Sequence, residues 1–128
     1  MELTVGLKGE VSTEVERADT ALEVGSGSLL VYATPCMVAL MEGAACEAIA
    51  ACLPEEKTSV GIELNISHLS ATPVGMEVRA KAELSAVDGS ILTFQLTAYD
   101  EAGKIGEGTH KRAIISTQRF LDKTYAKL

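Results

Sequence analysis

Between Val31 and Leu53 the only charged side chains are Glu42 and Glu47, and no other stretch constrains the fold as strongly. The run is long and apolar enough to raise the question of a bilayer. Two central carboxylates are costly in hydrocarbon, however, and Pro35 interrupts its start. It therefore reads as the buried helix of a globular protein. Thr34-Pro35 opens it, since Thr suits an N-cap and Pro an initial helical position. The helix is expected to reach about Cys52, with Pro54 ending it.

The flanking sequence changes period. Residues 7–17 read as a polar first strand, and Val24-Gly25-Ser26-Gly27-Ser28 reads as a loop. Beyond the helix, residues 60–71 alternate with Val60, Ile62, Leu64 and Ile66 on one side. In residues 76–86, Met76, Val78, Ala80, Ala82 and Leu84 alternate with Glu77, Arg79, Lys81 and Glu83. Val87-Asp88-Gly89-Ser90 is a tight turn before Leu92, Phe94, Leu96 and Ala98. Glu101-Ala102-Gly103-Lys104 precedes a last strand from about Ile105 to Ser116, and the tail beyond has helical character. The order β-α-β4, with short hairpins, gives an α+β fold with an antiparallel sheet. Gly43, Ala44, Ala45, Ala48 and Ala51 keep the helix slim enough for a curved sheet to wrap around it, as in the hot-dog fold.

At 128 residues the chain is expected to form one domain over 1–128. Its 11 Lys and Arg against 18 Asp and Glu, a net charge of −7, oppose binding to nucleic acid phosphates or anionic lipid. The absence of Trp leaves little for stacking bases. Met1 to Lys8 lacks the pattern of a secretory signal. Cys36, Cys46 and Cys52 have no zinc-site spacing, so free thiols in a reducing cytoplasm are expected.

Several residues could carry chemistry. On a helical wheel Met37, Met41, Ala44, Ala45, Ala48, Ile49 and Cys52 form the apolar stripe, and Glu47 falls opposite. Glu42 falls beside the stripe, next to Val38 and Ile49, and is either a boundary acid reaching water or a base or nucleophile. His68 continues the inward alternation of its strand, as a core histidine or as an imidazole oriented by a carboxylate. Thr34 is either an N-cap or a hydroxyl beside backbone N–H groups able to hold an oxyanion. In Gly106-Glu107-Gly108-Thr109-His110-Lys111-Arg112 the glycines permit close approach within a strand, and Arg112 suits a phosphate or carboxylate.

Thr34-Pro35-Cys36-Met37-Val38-Ala39-Leu40-Met41-Glu42-Gly43-Ala44, Gly61, His68-Leu69-Ser70-Ala71-Thr72-Pro73-Val74-Gly75 and the Gly106–Arg112 run lie in register over about Thr34 to Phe120. Together they resemble the fluoroacetyl-CoA thioesterase-like branch of the hot-dog acyl-CoA thioesterases. The resemblance implies hydrolysis of an acyl-CoA by a Thr–Glu–His set on Thr34, Glu42 and His68. It implies a homodimer with the site between subunits, pairing of dimers into a tetramer being left open. Gly61 and Arg112 match family positions around the acyl group and the coenzyme A moiety. In an acidic chain, Arg112 with its neighbours Lys111 and His110 is also the compact basic cluster that would meet coenzyme A phosphates. No metal or redox cofactor belongs to the reaction, and coenzyme A is part of the substrate. Gly25-Ser26-Gly27-Ser28-Leu29-Leu30 lacks the aromatic lid of fluoroacetyl-selective members, so another small acyl group is expected. The alternatives are a hot-dog thioesterase using Glu42 alone and a non-catalytic acyl-CoA or ligand-binding dimer.

Overall fold

The computed structural model describes residues 2–128. In chain order the elements are β1 (Lys8–Glu14), α1 (Ala21–Val24), α2 (Thr34–Ile49), β2 (Lys57–His68), β3 (Glu77–Asp88), β4 (Ile91–Asp100), β5 (Gly103–Ser116) and α3 (Thr117–Tyr125). The strands form one antiparallel sheet in the order β1-β3-β4-β5-β2. β1 and β2 are its edges. Single 3₁₀ turns occupy Arg17–Asp19 and Ala50–Cys52, so regular α-helix ends three residues before the expected Cys52.

The core lies where α2 crosses the sheet. Met37, Met41, Ala44, Ala45, Ala48 and Ile49 are buried on its inner stripe. They meet Val78, Ala80, Ala82 and Leu84 of β3 and Leu92, Phe94, Leu96 and Ala98 of β4. These are the inward positions of the period-2 alternation, because one face of each strand packs and the other is solvated. Gly9 lets β1 touch the helix backbone. A Cβ there would collide with Ala44 O and lie 2.5 Å from Ala48 N.

β2 departs from simple alternation. Its register with β5 shifts between Gly61 and Glu63, which leaves Ile62 as the extra residue of a bulge. Gly61 pairs with Arg112, Leu64 with His110 and His68 with Gly106. Directly opposed residues share a face, so Gly61, Leu64, Ile66 and His68 all point to the helix side, whereas Val60 does not. A single phase through Val60 and Ile62 fails for that reason. α2 packs chiefly on β1 and β3 and touches β2 little. Leu64 therefore remains 43% exposed on the inner face, beside Ile62 at 52%.

Candidate active site

Thr34 is the first residue of α2, not its cap. The N-cap is Ala33, whose methyl group cannot accept a hydrogen bond, and the threonine hydroxyl, one residue further on, turns to another partner. That partner is His68, the last residue of β2, with Thr34 Oγ1 2.7 Å from Nδ1. The reach is short because Gly106, opposite His68, leaves room for the first turn of α2. A Cβ on Gly106 would lie 2.6 Å from Met37 Sδ.

His68 is half-buried, and Nε2 has no hydrogen-bond partner. Burial pushes its pKa below the ordinary value of 6.5, with a backbone hydrogen bond at Ser70 acting the other way. A neutral ring tolerates an unpaired nitrogen far better than an imidazolium would. The structure thus places a neutral imidazole against a hydroxyl.

Among the described residues the Thr34 amide has no hydrogen-bond partner at the helix start. Pro35 has no N–H, and the Cys36 and Met37 amides both donate to Ala33 O. The amides of Tyr32 and Ala33 donate to Thr72 O and Asp19 O. Of the oxyanion donors expected here, only the Thr34 N–H is open. Tyr32 braces the same turn by donating its hydroxyl to Cys36 O at 3.2 Å. A cleft of about 300 Å³ opens over the Thr34–His68 pair, walled by Ala21, Val31, Tyr32, Leu69 and Ala71. A larger hollow of about 480 Å³, over Lys8, Glu10, Lys81, Glu83 and Thr97, has no histidine in its lining to pair with a hydroxyl.

Glu42 stands eight residues beyond Thr34, about 12 Å along the axis at 1.5 Å per residue. There it meets a second cluster. Arg112 Nη1 donates to Glu42 Oε2 at 3.0 Å, while Nε and Nη2 donate to the hydroxyl and carbonyl of Ser59 at 2.8 and 3.0 Å. His110 Nε2 lies 3.1 Å from Arg112 Nη1, and its Nδ1 lies 2.8 Å from Glu63 O. Gly61 completes the group: a Cβ there would be 2.5 Å from Glu42 Oε2.

One protomer therefore brings Thr34 to His68, and Glu42 to Arg112, His110 and Gly61, but it keeps the two sets apart. The expected basic cluster also divides. Strand alternation turns His110 and Arg112 inward, 1% and 7% exposed, and sends Lys111 outward to pair with Glu63 at 3.9 Å. Within the protomer neither inward side chain is open to coenzyme A phosphates. Ser59 went unnoticed in the sequence, where nothing distinguishes it from other strand serines.

A family profile described as fluoroacetyl-CoA-specific thioesterase matches residues 15–118. The fluoroacetyl-CoA thioesterase of Streptantibioticus cattleyicolor is 40% identical over 97 residues, which cover 76% of this chain and 70% of that protein. A solved structure of the fluoroacetyl-CoA thioesterase FlK superposes with a TM-score of 0.94 at 32% identity, covering 100% of this chain and 99% of that one. A mutant of FlK in complex with acetyl-CoA gives 0.91 at 33% identity, over 98% of each chain. A hot-dog-like protein from Thermanaerovibrio acidaminovorans shares the fold at a TM-score of 0.88 and 22% identity, over 98% of this chain and 93% of that one.

Proposed function

The chain belongs to the fluoroacetyl-CoA-specific thioesterase family and is a thioester hydrolase; we propose that its substrate is a small acyl-CoA, cleaved to the free acid and coenzyme A. The observation that carries this reading is the 2.7 Å contact between the Thr34 hydroxyl and neutral His68 under a small cleft of about 300 Å³. His68 Nδ1 takes the hydroxyl proton as Thr34 Oγ1 attacks the thioester carbonyl. The open Thr34 amide faces the developing oxyanion, the C–S bond breaks, and the thiolate leaves with the proton that His68 took from Thr34. Water activated by a carboxylate then releases the acid and restores Thr34.

That carboxylate is Glu42 of the partner subunit. β2 is a sheet edge with unpaired backbone groups, and edges of this kind invite a second copy. Beside it lie Leu64, Ile62, Val38 and Ala39, apolar side chains that the protomer leaves at least partly uncovered. Pairing two β2 strands about a two-fold axis near Leu64 and Asn65 sets the His68 end of one against the Gly61 end of the other. The Thr34–His68 pair then faces the partner's Glu42, closing a distance that α2 cannot close within one chain.

Thiol release from acetyl-, propionyl-, butyryl- and fluoroacetyl-CoA tests the activity. The reading requires turnover on at least one of them. Coenzyme A release from none of the four would overturn the small-acyl reading. The separation of Glu42 from Thr34 in the protomer favours one other reading, in which Glu42 acts alone, and wild-type turnover in Thr34→Val would establish it.

A further inference from the structure

We infer that His110 is a positioning residue for the hydrolysis, its Nε2 lone pair holding the Arg112 guanidinium in the orientation that presents Nη1 to Glu42. This rests on the reading that Glu42 takes part in the reaction. His110 is 1% exposed and does not reach a substrate, so its influence passes through Arg112.

The hydrogen bonds leave only one assignment of protons. Glu63 O is a carbonyl and can only accept, so His110 Nδ1 carries the ring proton at 2.8 Å. Guanidinium nitrogens can only donate, so His110 Nε2 is the bare acceptor at 3.1 Å. Arg112 Nη1 has two N–H bonds, one directed to His110 and one to Glu42 Oε2 at 3.0 Å. The order Glu63 O, His110, Arg112, Glu42 therefore runs in a fixed direction. A protonated His110 would set N–H against N–H and break it at the centre.

The surroundings keep the ring neutral. Phe94 of β4 packs beside it with ring centroids 6.2 Å apart, β2 supplies the Glu63 carbonyl, and α2 supplies Glu42, 3.7 Å from Nε2. Burial is the main cause of its lowered pKa, and the Arg112 charge adds to it. The Glu63 bond and the Glu42 carboxylate oppose them. Gly61 leaves space at the ring edge, where a Cβ would stand 3.3 Å from Cε1.

The test compares His110→Gln, which can offer Arg112 a carbonyl oxygen near the Nε2 position, with His110→Leu and His110→Asn. Asn keeps a donor for Glu63 but is too short to place an acceptor at the Nε2 position, and it replaces Leu in the comparison if Leu does not fold. With an acyl-CoA turned over by the wild-type enzyme, the acceptor-less variants should lose about tenfold in kcat with little change in KM, and Gln should recover most of it. Combined with Arg112→Gln, they should add at most about twofold to the loss from Arg112→Gln alone, because both act through one contact. Wild-type kcat in the acceptor-less variants, or losses that multiply, would overturn the proposal. Imidazole ¹⁵N shifts at pH 7 decide the same point without turnover. A proton on Nε2 of His110 would refute it even if no acyl-CoA were hydrolysed.

Discussion

The hydrogen bond between Thr34 Oγ1 and His68 Nδ1, 2.7 Å long, joins the first residue of α2 to the last residue of β2. It exists because Ala33, not Thr34, occupies the cap position. Losing either partner should therefore affect chemistry more than folding. Thr34→Val and His68→Ala are each expected to lower kcat at least about tenfold, in the range of a nucleophile or a general base. Stopped thiol release with an unchanged thermal midpoint is the result that fits; a large drop in melting temperature with normal kcat is the one that does not.

Activity and stability should respond to acid in the same direction. His68 and His110 both titrate below the ordinary histidine value of 6.5 in the folded protein, chiefly through burial. As pH falls through 6.5 the unfolded chain binds these protons first. The unfolded state then holds more protons than the native one, and stability declines with falling pH. Urea unfolding between pH 5 and 7.5 should show this loss starting near 6.5. The acid limb of kcat/KM, which reports protonation of His68, should lie below that point. A fold that gains stability on acidification in this window would contradict the burial of neutral rings.

Gly61 has a local role that can be isolated. Its missing side chain is where Glu42 Oε2 sits, so a methyl group at 2.5 Å must push the carboxylate aside. The end of a glutamate is flexible and the fold can absorb the change. Gly61→Ala should thus cut turnover about tenfold while costing little stability, a loss equivalent to about 1.4 kcal/mol in the barrier. Equal turnover in Gly61→Ala and wild type would separate Glu42 placement from catalysis.

Much of this fold was legible because the sheet has one packed face. Val78 to Leu84 and Leu92 to Ala98 alternate cleanly, and the helix stripe from Met37 to Ile49 follows from period alone. β2 was less legible, since one inserted residue at Ile62 reverses the phase and the one local mark of it is the glycine beside it, Gly61. That bulge is also what lets Gly61 and His68 share a face. The short turns at Arg17–Asp19 and Ala21–Val24 do carry local signals, Thr20 capping Glu23 N and Gly25 closing the second turn in the left-handed region. At three and four residues they are too short to show a helical period, and Ala33 N to Asp19 O and Ala21 N to Val31 O add long-range support. Within the site, Thr34, Glu42 and His68 stood out as residues, but their division into two sets depends on the 12 Å helical rise between Thr34 and Glu42 and on the Arg112 contact.

The central claim is that one working site takes Thr34 and His68 from one chain and Glu42 from another. Mixing Glu42→Gln with His68→Ala chains, each folded and nearly inactive alone, tests it most directly. In a mixed dimer one site loses both groups and the other recovers a complete set. Random pairing should therefore restore about a quarter of wild-type turnover. Activity no higher than in either parent, with mixed dimers verified by mass, would contradict a site built from two copies.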